Sequence, residues 1–131
     1  MVKKFHYRGI PEEEIVKMDV DDFSKLVPSR VRRTLKRGFN PFQKRLLARI
    51  KKAKETGNTK PIKTNCRDMP IIPEMVGVTL MVHTGKEYIP VQINTERVGH
   101  FLGEFALTRK RITHSAPGVG ATRSSKFIPL K

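Results

Sequence analysis

The chain has 131 residues, of which 37% are apolar and 30% charged, and 27 Lys or Arg against 12 acids give a formal net charge of +15. That length argues for one domain, and so little apolar sequence leaves room for only a small core. A single cysteine, Cys66, excludes an internal disulfide and a cysteine-built zinc site from this chain alone, and such usage suits a reducing compartment.

Residues 1–28 sum to −1, with acids at Glu12, Glu13, Glu14, Asp19, Asp21 and Asp22. Met1-Val2-Lys3-Lys4 is basic, but no apolar signal core follows it, so secretion is not expected. No apolar run approaches transmembrane length, and no membrane partner is expected. Residues 1–18 are mixed and polar and read as an arm. Asp19 or Asp21 is placed to cap a short helix burying Phe23 and Leu26, which Pro28-Ser29 interrupts. A second short helix over 30–36 sets Val31 and Leu35 one turn apart, with Gly38 as its stop. Asn40-Pro41 is a helix start, a capping side chain followed by proline at the first helical position. The helix should run to about Glu55, with Phe42, Leu46, Ile50 and Ala53 on one face, Leu47 beside them, and Lys44, Arg45, Lys51 and Lys52 on the other.

From Ile62 the period becomes two. Ile62, Thr64 and Cys66 alternate with Lys63, Asn65 and Arg67, which predicts a strand with a basic outer face. Pro70, Pro73 and Gly77 predict a loop over 69–77. A strand over 78–84, a turn at Gly85-Lys86 and a strand over 88–93 follow. Pro90 lacks an N–H, so the last of these belongs at an edge or must turn that position away from the ladder. Thr95 is positioned to cap a short helix containing Val98, Phe101 and Leu102. Beyond Thr108 the chain reads as a solvated tail with Arg109, Lys110, Arg111, Arg123 and Lys126, interrupted by Pro117-Gly118-Val119-Gly120.

The charge is distributed in blocks. Between Arg30 and Arg67 stand fourteen Lys or Arg and one acid, Glu55. Residues 29–67 sum to +13, residues 68–108 to −3, and residues 109–131 to +6 with no acid at all. An ordinary solvated helix face mixes its signs. A block this one-sided repels itself until a polyanion neutralises it, and nucleic acid is the partner it implies. If six cations each neutralise a phosphate, affinity should fall by about three powers of ten between about 50 and 200 mM salt. No helix-turn-helix pattern or Cys/His finger suggests a DNA reader. With no Trp, two Tyr and seven Phe, no stacking stripe is evident either, so the contacts expected are to phosphate and sugar of a folded RNA.

Catalysis has little support. Glu87, Glu96 and Glu104 lie near the core without a paired-carboxylate or nucleophile motif, and Ser115, Ser124 and Ser125 fall in the tail. The stretch 118–122 lacks the Gly-Lys-Ser/Thr ending of a phosphate loop and no strand precedes it. His6, His83, His100 and His114 have no metal-ligand spacing, and neither metal nor cofactor is expected. His83 and His100 flank the apolar core, where they either hydrogen-bond to RNA or are ordinary surface histidines.

The segment TGKEYIPVQINTERVGHFLGEFALT, from Thr84 to Thr108, closely resembles the signature of family nineteen of the small-subunit ribosomal proteins. The matching elements are Thr84-Gly85-Lys86, Ile93, Val98-Gly99, Leu102-Gly103-Glu104-Phe105 and Thr108. Pro61-Ile62-Lys63-Thr64 and Ile72-Pro73-Glu74-Met75-Val76-Gly77 also resemble it, so that the likeness covers about residues 36–114. The N-terminal region and the ending Ser124-Ser125-Lys126-Phe127-Ile128-Pro129-Leu130-Lys131 resemble the archaeal and eukaryotic branch.

That resemblance implies a structural protein of the small subunit in the cytoplasm. It implies binding to the rRNA of the subunit head (the 3′ major domain), the ribosomal protein of family thirteen as a neighbour near the inter-subunit bridge, and a tail directed towards the A-site tRNA. The implied fold is α+β: a small mixed three-stranded sheet with helices packed on it, plus extended basic N- and C-terminal arms. The organisation expected is an N-terminal extension over 1–28, a globular rRNA-binding domain over 29–108 and a tail over 109–131. In the family, the equivalents of Lys86, His100 and the segment from Lys60 to Lys63 lie close to rRNA. The basic blocks add Arg30, Arg32, Arg33, Lys36, Arg37, Lys44, Arg45, Lys51, Lys52, Arg67, Arg109, Arg111 and Arg123 as expected RNA contacts, and His83 completes the set. Gly99 and Gly103 are read either as close approaches to RNA or a packed strand, or as helix ends. Glu104 should cap backbone N–H groups or pair with Arg109, since an acid facing RNA is unfavourable.

Overall fold

The computed structural model describes residues 5–57 and 60–112. Its first element is a small antiparallel hairpin, β1 (His6–Tyr7) against β2 (Ile10–Pro11). Helix α1 (Glu12–Lys17) follows directly, with Glu12, Glu13 and Glu14 in the first turn, where the partial positive charge of a helix N-terminus favours them. Ile15 is fully buried, and Tyr7, Ile10 and Met18 pack against the core beside it. From residue 5 onward the stretch expected as a polar arm is therefore folded. A few apolar side chains suffice to dock a short segment on a core that other elements supply.

Asp19 does cap α2 (Val20–Leu26), its Oδ1 accepting from the Val20 N–H at 2.8 Å, and α2 buries Phe23. Pro28 separates it from α3 (Ser29–Arg37), which buries Val31. Gly38 ends α3 at φ 87°, with its N–H bonded to the Leu35 carbonyl. Helix α4 (Pro41–Glu55) starts as expected at Asn40, whose backbone N–H donates to Gln43 Oε1 at 3.0 Å.

The buried stripe of α4 differs from the expected one. Leu46 and Ile50 face inward, but Phe42 is 68% exposed. Gln43 takes the inward position of the first turn, and its Nε2 donates to the Asp68 carbonyl at 3.3 Å and to Asp68 Oδ2 at 3.1 Å. The stripe therefore runs 43, 46, 50 rather than 42, 46, 50. Both spacings are legal on a helix, and the satisfied amide selects between them.

Three strands form the main sheet in the order β3 (Ile62–Thr64), β4 (Thr79–His83), β5 (Tyr88–Gln92). β3 runs parallel to β4, and β4 pairs antiparallel with β5, so the sheet is mixed. Pro90 lies on the edge strand β5, opposite Met81. The strand expected through Arg67 stops at Thr64. Thr64 Oγ1 accepts from the Cys66 N–H at 3.1 Å and the Arg67 N–H bonds to the Asn65 carbonyl at 2.9 Å, which bends the chain.

Residues 69–72, expected in a loop, are among the most buried, and a 3-10 turn over Pro73–Met75 continues them. Their backbone is satisfied by the segment 99–103: Ile71 N–H to the His100 carbonyl, Gly99 N–H to Ile71, Leu102 N–H to Met69 and Gly103 N–H to Arg67. The short helix expected after Thr95 is instead two 3-10 turns, Thr95–Arg97 and Leu102–Phe105, joined by this extended pairing. Thr95 is buried and its hydroxyl donates to Glu12 Oε1 at 2.9 Å, tying α1 to the far end of the chain.

Gly99 and Gly103 are close approaches within the protein. Gly99 has φ 85°, and a Cβ there would sit 2.6 Å from the Tyr7 hydroxyl oxygen. A Cβ on Gly103 would lie 3.1 Å from the Arg67 carbonyl. One apolar cluster, from Ile15 through Val31, Ile50 and Leu80 to Ala106, holds all these elements together.

Candidate nucleic-acid interface

On α3, Arg30, Arg33 and Arg37 recur at three- and four-residue spacing, so they share one face. With Thr34, Gly38, Asn40, Gln43, Asp68 and Phe101 they line a cleft of about 510 Å³. None of the ion pairs among the described residues involves these arginines or Lys36. The α3 face is a row of cations with unused donors around a concave surface, an arrangement that fits phosphate oxygens.

Arg32 and Arg67 behave differently. Arg32 turns back onto the end of α2, donating to the carbonyls of Ser24 at 3.0 Å, Lys25 at 3.1 Å and Val27 at 3.1 Å. Those carbonyls would otherwise lack partners at the helix C-terminus. Arg67 is half-buried; its Nη1 donates to the His83 carbonyl at 2.7 Å, and its Nη2 to Gly103 at 2.9 Å and Ala106 at 2.6 Å. Both were expected as outward contacts. Both guanidiniums are occupied in holding the fold.

On α4, Lys44, Arg45, Lys51 and Lys52 are exposed, as expected. Lys51 pairs with Glu74 at 3.3 Å, a solvated contact worth at most about 1 kcal/mol that a phosphate can displace. The Arg45 guanidinium lies 5.7 Å from the centre of the Phe42 ring. Arg49, outside the expected set, is exposed one turn further along and lines a second groove with Arg45 and Lys63. Its four-residue spacing from Arg45 was the available signal. The first turn of α4 separates the two grooves, with Gln43 facing the first and Phe42 the second.

Lys60, Lys63 and Lys86 are exposed, and Lys86 stands in the turn between β4 and β5. The Lys63 ammonium lies 5.4 Å from the Tyr88 ring centre. His83 is half-buried, accepts from the Gly85 N–H through Nδ1 at 3.2 Å and meets the Tyr88 ring edge-on, so it supports the hairpin turn. His100 is exposed, with Nδ1 2.7 Å from Glu104 Oε2. Glu104 caps the Phe101 N–H at 3.2 Å through its other oxygen and does not meet Arg109. Arg109 and Arg111 are exposed beyond the last 3-10 turn, and Lys110 between them reaches Glu87 at 3.4 Å. Arg123, His114, Lys126, Ser115, Ser124, Ser125 and the 117–120 stretch lie outside the described residues. Among the described residues no three His, Cys, Asp or Glu side chains gather as metal ligands.

The family model for ribosomal protein S19 matches residues 33–114. The chain belongs to the ribosomal protein S19 family. It is 50% identical over 131 residues to the small ribosomal subunit protein uS19 of Cenarchaeum symbiosum (strain A), covering 100% of both chains. A full-length archaeal relative agrees with the likeness of both chain ends to the archaeal and eukaryotic branch. Proteins of the S19 family are structural components of the ribosome, and this chain is one of them rather than an enzyme.

Proposed function

We propose that this structural protein of the small ribosomal subunit in the cytoplasm binds the rRNA of the subunit head, the 3′ major domain, chiefly through phosphate contacts. The supporting observation is the face of Arg30, Arg33 and Arg37, three guanidiniums around one cleft that form no ion pair among the described residues. Lys36, Lys44, Arg45, Lys52, Lys60, Lys63, Lys86 and His100 extend it along exposed surface. The S19 family membership supplies the ribosomal context. In this reading residues 109–131 run towards the A-site tRNA, and the ribosomal protein of family thirteen is the neighbour near the inter-subunit bridge.

The test is affinity for a transcript of the 3′ major domain measured across a salt series. Replacing Arg30, Arg33 and Arg37 together by Ala should weaken binding to every RNA tested and reduce the slope of log affinity against log salt by about 2–3. An unchanged slope would remove this face from the interface. Failure of the chain to co-sediment with small subunits at moderate salt would remove the ribosomal placement itself.

A further inference from the structure

The second groove, between the start of α4 and the edge of the sheet, differs in kind from the arginine cleft. Phe42 projects into solvent on one wall, with the Arg45 guanidinium against its ring. Tyr88 lines the same groove with the Lys63 ammonium against its ring, and its hydroxyl is fixed by a 3.0 Å hydrogen bond to Asn65 Oδ1. Both pairs and the lone thiol of Cys66 line one space of about 320 Å³, near the lower end of the ~300–1,000 Å³ typical of small-molecule sites. In sequence Phe42 and Tyr88 lie far apart; the packing of α4 beside β3 brings them to one groove.

An exposed phenylalanine gains nothing for the fold. Its neighbours do not cover it, because Gln43 holds the inward position of that turn. A flat apolar ring beside a cation, in one groove with a second aromatic–cation pair, matches what an unpaired nucleotide presents: a π-face and a phosphate. We infer that this groove takes one unstacked base of an RNA, with the base lying on Phe42 and the flanking phosphates met by Arg45 and Lys63. This rests on the RNA-binding reading above, but adds a contact to a base where that reading needs only phosphates.

The chain has no tryptophan and one cysteine, so two positions in the groove can be reported individually. In the full-length chain, Phe42→Trp introduces a single indole on the platform, and a base stacked on it should quench its emission. Short oligoadenylate should quench it, whereas inorganic polyphosphate at equal charge should bind without quenching. Oligoadenylate, and not polyphosphate, should also slow alkylation of Cys66 in the unsubstituted protein. Phe42→Ala should weaken oligoadenylate binding about tenfold while leaving polyphosphate binding and the salt slope unchanged. Because Phe42 is exposed, its removal should not unfold the chain, and an unchanged thermal midpoint verifies this.

The outcomes separate the two readings. If neither polyanion binds, RNA binding as a whole is wrong and the groove goes with it. If both bind and shift the indole equally, or if Phe42→Ala binds oligoadenylate as well as the parent does, the arginine face stands and the base site is refuted. Equal protection of Cys66 by both polyanions would likewise reduce the groove to an electrostatic surface.

Discussion

The outer face of α3 and the inner seam between residues 67–71 and 99–106 both present arginine, with opposite use. Arg30, Arg33 and Arg37 look onto an open cleft that Asp68 also lines, and none of them forms an ion pair among the described residues. Arg67 lies in the seam, and its guanidinium bridges carbonyls from the end of β4 and the last 3-10 turn. Arg32, only one position from Arg33, belongs with the seam by function because it closes the end of α2. A guanidinium carries five donors in a planar fork. Whether those donors serve the fold or a ligand depends on how many backbone carbonyls lack partners within its reach. Charge density alone does not separate the two uses.

This contrast is sharpest in stability. Arg67→Ala should destabilise the fold by about 3 kcal/mol, because it leaves three carbonyls short of their donor, while the salt slope of RNA binding by the folded fraction stays as it was. Arg32→Ala should cost about 1–2 kcal/mol by the same logic at a more exposed site. Chemical denaturation reads both. Loss of salt slope without loss of stability in Arg67→Ala would place that residue on the RNA side after all.

Gly99→Ala probes the seam without touching charge. At φ 85°, with the Tyr7 hydroxyl where the methyl must go, the substitution should cost about 2 kcal/mol. Tyr7→Phe removes the clashing oxygen but not the backbone strain, so the double variant should recover part of the loss, as a thermal unfolding cycle would show. Full additivity would mean that Tyr7 does not pack on Gly99.

The smallest effect is in pH. Burial pushes the Tyr7 phenol above its ordinary value of 10.0, with Arg8 opposing more weakly. The folded state therefore holds that proton more tightly than the unfolded chain does. The resulting contribution to stability is complete below pH 10 and is lost as pH rises through the folded value. Tyr7→Phe should flatten that alkaline fall relative to the parent, and equal slopes would show the phenol to be solvated.

Much of the architecture was legible because it rests on local chemistry. Asp19, Gly38 and Asn40-Pro41 set helix boundaries through caps and φ preferences that need no partner. The strands expected over 78–84 and 88–93 are found at Thr79–His83 and Tyr88–Gln92, and of the two places Pro90 allowed, an edge or a position turned away from the ladder, the structure takes the edge. The buried 69–72 segment was not legible, since Pro70 spoils the strand pattern and its hydrogen-bond partners lie about thirty residues away in sequence. Residues 5–18 were missed for a related reason: a short polar stretch folds only against a core that it does not itself contain. At the interface, exposed cations on α3 and α4 followed from charge blocks and helical spacing, whereas the inward turn of Arg32 and Arg67 left no local mark.

By itself the sequence determined that this is a small α+β protein of the S19 family with a concentrated positive charge, because caps, periodicity, motif and net charge are properties of neighbouring residues. Only the tertiary structure decided which arginines remain available to a ligand, that Gly99 and Gly103 make room for Tyr7 and Arg67, and that Phe42 and Tyr88 share one groove. Each of those depends on atoms brought together by packing across long stretches of chain, where the geometry of unmet carbonyls and excluded volume decides the outcome and residue type does not.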